Sequence, residues 1–255
     1  MQLFLDTADL EEIHTGVEQW GVVSGVTTNP TLIAKAGQDH ETQVKRICEI
    51  VGNVSAECVS EKKDDLIPEG RRIASWHENV IVKVPMTWDG LAAAKVLAGE
   101  GVRINVTLCF TVNQALLAAA VGAYIVSPFV GRLDDINQDG IQLISDIVAA
   151  YREQGVTTKV LSASLRNPIH VQDSALAGAD IATMPFKVME SLVTHPLTDQ
   201  GVSRFLADYE RARAVGRPAA AGADAGAKPD LRSDYRKTQE PKAVEAPQGQ
   251  AAAKA

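Results

Sequence analysis

The sequence is poor in cysteine and has no excess of positive charge, and each deficit argues against a class of protein. Its three cysteines, Cys48, Cys58 and Cys109, are odd in number and form no CxxC pair. This pattern argues against a disulfide scaffold or a zinc site and favours a reducing compartment. The net charge of −7 argues against nucleic acid or an anionic membrane as the main partner, because both repel an acidic surface. We therefore expect a cytoplasmic protein.

A targeting signal and a long apolar run are also lacking. The first twelve residues, MQLFLDTADLEE, include four acidic residues and no basic stretch, unlike a secretory signal. Residues 104–131 carry no formal charge, so a membrane span is the alternative to consider there. Asn105, Asn113, Gln114 and Pro128 interrupt that stretch. A strand, a buried helix and another strand are the better interpretation.

The composition changes near residue 215. From residue 216 to residue 255 there are twelve alanines, four prolines and four glycines, and only Leu231, Tyr235 and Val244 are larger apolar residues. Such a segment buries too little apolar surface to offset the entropy cost of ordering it. We predict a folded domain over residues 1–213 and a disordered Ala/Pro/Gly-rich tail over residues 214–255.

The first 213 residues alternate short apolar runs with longer amphipathic ones. The apolar runs predict strands at residues 3–6, 22–26, 54–59, 80–85, 102–107, 123–128, 157–164 and 180–185. Helical patterns follow at residues 8–20, 31–51, 62–76, 90–98, 112–121, 140–154, 168–176 and 186–193, and a last one covers residues 201–213. Eight strands, each followed by a helix, indicate parallel strands joined by crossovers.

Two architectures fit this order, an open doubly wound sheet and a closed barrel. The open sheet normally has a glycine-rich phosphate-binding turn after its first strand. Here Asp6-Thr7-Ala8-Asp9 follows the first strand, and neither GxGxxG nor GxxxxGKS/T occurs anywhere. Eight strands in about 210 residues fit the barrel. We predict the α/β class, as a closed eight-stranded parallel (β/α)8 TIM barrel with a C-terminal helix.

Lys83 is the first candidate for chemistry, because it lies mid-strand among apolar residues in IVKVP. Both faces of a parallel barrel strand are covered, so burial disfavours the ammonium and leaves a nucleophilic amine suited to a Schiff base. The alternative is a lysine that extends to solvent from a strand end. Lys159 is the rival, but it lies early in its strand, whereas barrel active sites lie at the strands' carboxyl ends.

Further polar residues lie at the predicted strand ends. Asp6 and Glu57 can supply acid/base groups, and Asn29, Asn105 and Thr107 can bind hydroxyls or water. The alternative for Asp6 alone is a helix cap. With Lys83 they occupy five different strand ends, and together they indicate a site more strongly than any one of them does.

A phosphate-binding group is predicted after the sixth and seventh strands. Arg132, Ser164 and Arg166 offer two guanidiniums and a hydroxyl, and guanidinium geometry suits a phosphate dianion. The alternative is that these are surface arginines paired with the nearby Asp134 and Asp135.

Six segments contain most of the candidate residues: FLDTAD, GVTTNPTLI, KVPMTWDGLAAAKVL, INVTLCFT, SPFVGRLDD and VLSASLRNP. In combination, they resemble a known family, the small-subunit transaldolases, which include the fructose-6-phosphate aldolases. The resemblance covers nearly all of residues 1–213 and does not extend to the tail.

The resemblance implies a barrel and a class I aldol mechanism with no metal or organic cofactor. It makes Lys83 the Schiff-base lysine and Asp6 the acid/base residue, with Glu57 and Thr107 holding the catalytic water. The remaining implied roles are substrate-binding: Asn29, Asn105 and Ser127 for the dihydroxyacetone hydroxyls, and Arg132, Ser164 and Arg166 for the phosphate. Phe129 belongs to the same substrate-binding set. It further implies a homo-oligomer, a pentamer or decamer, in which the C-terminal helix reaches a neighbouring subunit.

The implied activity is that of a transaldolase of the non-oxidative pentose phosphate pathway. It moves dihydroxyacetone from sedoheptulose 7-phosphate or fructose 6-phosphate to an aldose phosphate such as glyceraldehyde 3-phosphate or erythrose 4-phosphate. A fructose-6-phosphate aldolase is the first alternative, although such relatives carry Gln and Tyr where this chain has Glu57 and Phe129. A noncatalytic sugar-phosphate-binding barrel is the second, and the retained Lys83, Asp6 and Glu57 argue against it.

Overall fold

The computed structural model describes residues 1–215; residues 216–255, on which nearly all of the predicted tail falls, lie outside the described residues. The chain divides into two units, residues 1–195 and the residues from 196 onward. The first unit contains all eight strands and ten helices, and within the described residues the second consists of the helix Pro196–Val215. Residues 214–215, which the sequence assigned to the tail, belong to that helix.

Eight parallel strands close into a barrel in chain order, which confirms the predicted fold. The strands are β1 (Gln2–Asp6), β2 (Val23–Thr27), β3 (Val54–Glu57), β4 (Val80–Pro85), β5 (Ile104–Cys109), β6 (Ile125–Pro128), β7 (Lys159–Ser162) and β8 (Ile181–Met184). Six of the eight predicted strands extend one or two residues beyond the observed strand at one or both ends.

Helices cover the outside of the barrel. They are α1 (Leu10–His14), which continues into a π-helical turn (Thr15–Gln19), α2 (Pro30–Ala36), α3 (His40–Cys48), α4 (Lys63–Ala74), α5 (Trp88–Gly99), α6 (Val112–Ala120), α7 (Val130–Asp134), α8 (Gly140–Gln154), α9 (Pro168–Leu176) and α10 (Phe186–Ser191). Helix α11 (Pro196–Val215) follows in the second unit. Within residues 1–215, none of these helices combines the length and apolar character that a membrane span requires.

The structure departs from the sequence-based expectations at three helical regions and at one helix cap. The single helix predicted at residues 31–51 is wrong. Helix α2 ends at Ala36, and the next residue, Gly37, has a left-handed φ of 67°. A new helix then begins, and the Asp39 side chain caps it by accepting a hydrogen bond from the Thr42 backbone N–H. Helix α7 was not predicted, and α11 begins before residue 201. Asp9, not Asp6, caps α1, so the capping alternative for Asp6 is wrong.

Side chains alternate along each strand, and the two faces have different neighbours. Outward residues such as Leu5 and Val82 join the helices in one large core, whereas a second, separate cluster fills the barrel interior. We call the interior cluster the floor; its large members are Phe4, Ile81, Ile125, Leu161 and Ile181. Gly25 makes room for Phe4, since a Cβ there would lie 2.3 Å from the Phe4 ring.

The amino-terminal mouth of the barrel lies below the floor and carries Lys159. The Lys159 Nζ lies 5.0 Å from the ring centroid of Tyr124, and the Arg103 guanidinium carbon lies 5.9 Å from the same centroid. Lys159 is the first residue of β7, so it lies at the opposite end of the barrel from the carboxyl ends of the strands, as predicted.

Candidate active site

On four strands, a polar residue lies one inward position beyond a floor residue: Asp6, Lys83, Ser127 and Thr183 follow Phe4, Ile81, Ile125 and Ile181 in the two-residue period of a strand. With Thr27, Glu57, Asn105 and Thr107, which lie on the three strands that contribute no residue to the floor, they form what we call the polar layer. Above it opens a cavity of about 450 Å³ at the carboxyl ends of the strands. Its wall includes nine predicted site residues: Asp6, Asn29, Glu57, Lys83, Thr107, Ser127, Phe129, Arg132 and Ser164. Asn105 and Arg166 are not in that wall.

Lys83 is buried, with 6% of its surface exposed. Parallel pairing places it beside Glu57 of β3 and Asn105 of β5. Its Nζ lies 3.0 Å from Glu57 Oε2 and donates a hydrogen bond to the Thr28 carbonyl oxygen at 3.2 Å. The amine is therefore held between two acceptors, one of them a carboxylate that can exchange a proton with it.

Asp6 is held by a chain of two threonines that sequence reasoning missed. The Thr27 hydroxyl donates to Asp6 Oδ1 at 2.7 Å, and the hydroxyls of Thr27 and Thr183 are also 2.7 Å apart. Both threonines point inward near the ends of their strands, and that parity could have identified them. The chain fixes the carboxylate of Asp6 at the cavity wall.

Asn105 is fully buried and orients the side chain of Ser127. The Ser127 hydroxyl donates to Asn105 Oδ1 at 2.7 Å, and Asn105 Nδ2 donates to Ser55 Oγ at 3.1 Å. Asn29 caps α2 by accepting from the Leu32 backbone N–H at 3.0 Å. Since its carboxamide oxygen serves the cap, the NH2 group of Asn29 is the part suited to bind a ligand in the cavity.

Thr107 is 1% exposed, lines the cavity and has no hydrogen-bond partner for its hydroxyl within residues 1–215. A buried hydroxyl without a protein partner normally binds water or a ligand. The pairing of β5 with β6 shifts between Val106 and Cys109, and Leu108 has a φ of 60°. This irregularity, which sequence patterning gives no sign of, sits in the cavity wall and carries strain of about 1–3 kcal/mol.

The loops after β6 and β7 form the basic side of the cavity. The Arg132 guanidinium carbon lies 4.8 Å from the Phe129 ring centroid, and that ring packs on Phe110 at 5.8 Å. The Gly131 N–H donates to the carbonyl of Ser164 at 3.2 Å. A Cβ at Gly131 would lie 2.4 Å from that oxygen, so only glycine allows α7 to approach this loop so closely.

Arg166 lies outside the wall and pairs with Asp135. Arg166 Nη1 and Nη2 each lie 2.6 Å from an oxygen of Asp135. This pairing matches the alternative of a surface arginine bound to a nearby aspartate. Arg132 and Ser164 instead line the cavity, as a role in phosphate binding requires.

The cysteines do not supply a competing nucleophile. All three are free and buried. Burial raises the pKa of Cys58, next to Glu57, to about 12 and that of Cys109 to about 11, so both remain protonated thiols at neutral pH. Residues 1–215 contain no group of three or more His, Cys, Asp or Glu side chains arranged to hold a metal ion.

The closed barrel of eight parallel strands, with a cavity at their carboxyl ends, places the protein in the (β/α)8-barrel class. A family model for transaldolase/fructose-6-phosphate aldolase matches residues 3–225. The chain belongs to the transaldolase/fructose-6-phosphate aldolase family, and it is an enzyme of this aldolase-type transferase group. The resemblance is thus confirmed, but its expected end at residue 213 was too early.

Named relatives agree with this assignment. The chain is 54% identical over 223 residues to a probable transaldolase of Myxococcus xanthus, covering 87% of this chain and all of the relative. It is 56% identical over 212 residues to a probable transaldolase of Roseiflexus sp., covering 82% and 97%. A probable transaldolase 1 of Listeria monocytogenes is 54% identical over 214 residues, covering 84% and 100%.

Proposed function

We propose that this enzyme is a transaldolase that carries a dihydroxyacetone unit on Lys83 as a Schiff base. The donor is sedoheptulose 7-phosphate or fructose 6-phosphate, and the acceptor is an aldose phosphate such as glyceraldehyde 3-phosphate or erythrose 4-phosphate. The observation that carries the proposal is the buried Lys83 amine, 3.0 Å from the Glu57 carboxylate and facing a cavity with Arg132 in its wall. This is the chemistry of the non-oxidative pentose phosphate pathway.

The first half of the reaction cleaves the donor. The amine of Lys83 adds to the C2 carbonyl of the ketose phosphate, and loss of water with uptake of one proton gives a protonated imine. Asp6 then removes the proton of the C4 hydroxyl, the C3–C4 bond breaks, and its electron pair moves into the protonated imine to form a neutral enamine. The aldose phosphate leaves, and the three-carbon unit stays on Lys83.

The second half reverses these steps with another aldose phosphate. The enamine carbon attacks the acceptor aldehyde, Asp6 returns its proton to the new hydroxyl, and water releases the new ketose phosphate. Glu57 and Thr107 are suited to hold the water of the imine steps, because Glu57 contacts the amine and the Thr107 hydroxyl lacks a protein partner. No metal or organic cofactor enters this scheme.

The remaining cavity residues fit the two ends of the sugar. Ser127, held by Asn105, and the NH2 group of Asn29 are suited to the dihydroxyacetone hydroxyls. Arg132 and Ser164 are suited to the phosphate, and Arg166 is close by. A guanidinium binds a phosphate dianion through charge-assisted hydrogen bonds.

Phe129 and Glu57 favour a transaldolase over a fructose-6-phosphate aldolase. A tyrosine at position 129 would add a proton donor near the catalytic water and could protonate the enamine, which would release free dihydroxyacetone. The ring of Phe129 instead packs between Phe110 and the Arg132 guanidinium and offers no such proton. The enamine then persists until an aldose acceptor arrives.

We also propose that the enzyme is a cytoplasmic homo-oligomer, a pentamer or decamer. Helix α11 carries exposed Val202, Phe205, Leu206 and Tyr209 at helical spacing. An apolar stripe of this kind is suited to packing against a neighbouring subunit.

Acceptor dependence is the experiment that tests the proposed activity. The protein is incubated with fructose 6-phosphate, with and without erythrose 4-phosphate, and both sugar products and free dihydroxyacetone are measured. Turnover only with the acceptor is expected. Equal turnover without it would assign the enzyme to the aldolase branch, and no turnover in either case would contradict both assignments.

A further inference from the structure

The ion pair between Asp135 and Arg166 lies beside the basic side of the cavity and has no role in the reaction steps above. Both oxygens of Asp135 bind the two terminal nitrogens of Arg166, each at 2.6 Å. About half of each side chain is exposed to solvent. While this pair is formed, the cavity wall includes Arg132 and Ser164 but not Arg166.

The pair is close to the phosphate-binding groups that line the cavity. The Arg166 side chain passes against Gly131, where an added Cβ would lie 2.6 Å from Arg166 Nε. Gly131 is followed directly by Arg132 and donates to the Ser164 carbonyl oxygen. The hydrogen bonds from Arg166, with the charges of Arg166 and Arg132, lower the pKa of Asp135. Asp135 is therefore an anion at neutral pH, in the field of both arginines.

Carboxylate and phosphate compete for the same guanidinium geometry. An exposed ion pair is weak, because water and salt screen it and ordering two long side chains costs entropy. A phosphate dianion carries more charge than a carboxylate and binds a guanidinium in the same bidentate way. A bound phosphate can therefore displace Asp135 from Arg166, whereas an unphosphorylated sugar has no group that could do so.

We propose that Asp135 is an intramolecular competitor for Arg166 and thereby sets the affinity of the cavity for phosphorylated sugars. Arg166 is held outside the wall until a phosphate dianion draws it to Arg132 and Ser164. Competition of this kind weakens the binding of phosphorylated substrates and products alike, so it speeds product release. The inference rests on the proposed function, because it assumes that these loops bind the sugar phosphate.

Direct binding of inorganic phosphate tests the proposal without any need for turnover. Calorimetric titration compares the unaltered enzyme with Asp135→Asn, Arg166→Ala and the double variant. We expect Asp135→Asn to bind phosphate about twofold to fivefold more tightly, the range set by an exposed ion pair. In the Arg166→Ala background the same change should give a much smaller gain, because the competitor no longer has its target.

Glu100→Gln is the matched control. Glu100 forms a second exposed bidentate pair, with Arg71, away from the cavity. Its substitution should leave phosphate affinity unchanged, which separates the local competition from a general change in net charge.

Three outcomes would overturn the proposal. Unchanged affinity in Asp135→Asn would show that the pair does not compete, and weaker binding would show that Asp135 orients Arg166 for phosphate instead. No measurable phosphate binding in any variant would show that these loops are not a phosphate site. The Schiff base on Lys83 is tested separately, by borohydride reduction of its adduct with fructose 6-phosphate. Failure of the phosphate-binding test is therefore distinguishable from failure of the Schiff-base mechanism.

Discussion

On β1, β4, β6 and β8, the floor and the polar layer occupy the same face of the same strand and differ completely in chemistry. Phe4 and Asp6 are two residues apart on β1, and Ile81 and Lys83 are two apart on β4. The same step leads from Ile125 to Ser127 and from Ile181 to Thr183. One inward position therefore separates a dry hydrophobic cluster from the hydrogen-bonded wall of a cavity. The comparison shows how Lys83 can be buried and still line a cavity.

The two layers also differ in what they contribute to stability. Each large side chain of the floor stabilises the fold by about 1.5–3 kcal/mol through burial alone. The polar layer includes a buried charge pair, whose desolvation offsets much of its attraction, and the Thr107 hydroxyl without a partner. We therefore expect substitutions in the floor to change stability and substitutions in the polar layer to change activity.

The largest effect is expected for the lysine of the polar layer. Lys83→Met should reduce transaldolase activity on the order of 10⁴-fold or more, because the covalent step has no other nucleophile. Lys159→Met, at the opposite mouth of the barrel, is the matched control and should retain activity. Steady-state kinetics on both variants checks the expectation. Comparable losses of activity in the two variants would contradict the placement of the nucleophile at the carboxyl ends of the strands.

The next largest effect is expected in the floor, and on stability. Leu161→Ala removes buried methyl groups and leaves a cavity, so the free energy of unfolding should fall by about 2–5 kcal/mol. Leu176→Ala, at a residue that is 80% exposed, should change it by less than about 0.5 kcal/mol. Urea denaturation measures both. A loss of activity in folded Leu161→Ala as large as that of Lys83→Met would contradict the division between the layers.

A smaller effect is expected at Thr107. Thr107→Val should lower kcat about tenfold or more by disturbing the catalytic water, while stability is kept, since no protein hydrogen bond is lost. Thr158→Val is the control with the opposite pattern. Its hydroxyl donates to the Ala123 carbonyl oxygen at 2.7 Å at the other end of the barrel, so stability should fall by about 1 kcal/mol and activity should persist. Thermal unfolding and kinetics together test the pair, and a Thr107→Val variant with full kcat would refute the assigned role.

The smallest effect is expected at Phe129, an aromatic residue in the wall of the cavity. Phe129→Tyr adds one hydroxyl and should raise the release of free dihydroxyacetone without acceptor by a few-fold, while transfer to an acceptor declines. Enzymatic assay of free dihydroxyacetone from fructose 6-phosphate measures the change. If the variant releases no more than the parent, the side chain at 129 does not determine the fate of the enamine.

The features that depend on strand period could be predicted from sequence. The eight strands, the inward direction of Lys83 and the convergence of Asp6, Glu57 and Thr107 all follow from alternation and from the closure of a parallel sheet. The break between α2 and α3 was missed because it depends on a single glycine, Gly37, in a left-handed conformation.

Features that depend on contacts between separate loops could not be predicted. The sequence predicted phosphate binding for Arg132 and Arg166, with surface pairing to Asp134 and Asp135 as the alternative. That Asp135 pairs with Arg166 depends on how the segments after β6 and β7 lie together. The left-handed backbone at Leu108 lies within an ordinary apolar run, where no residue type marks it. Tertiary structure alone reveals that Thr107 has no partner within residues 1–215.

The most direct test of the central claim is to map the covalent adduct. The full-length enzyme is incubated with fructose 6-phosphate, reduced with borohydride, digested and analysed by mass spectrometry. The account predicts a three-carbon dihydroxyacetone-derived addition on the peptide that contains Lys83, and none on the peptide that contains Lys159. An adduct on Lys159 or another lysine, or no adduct at all, would contradict it.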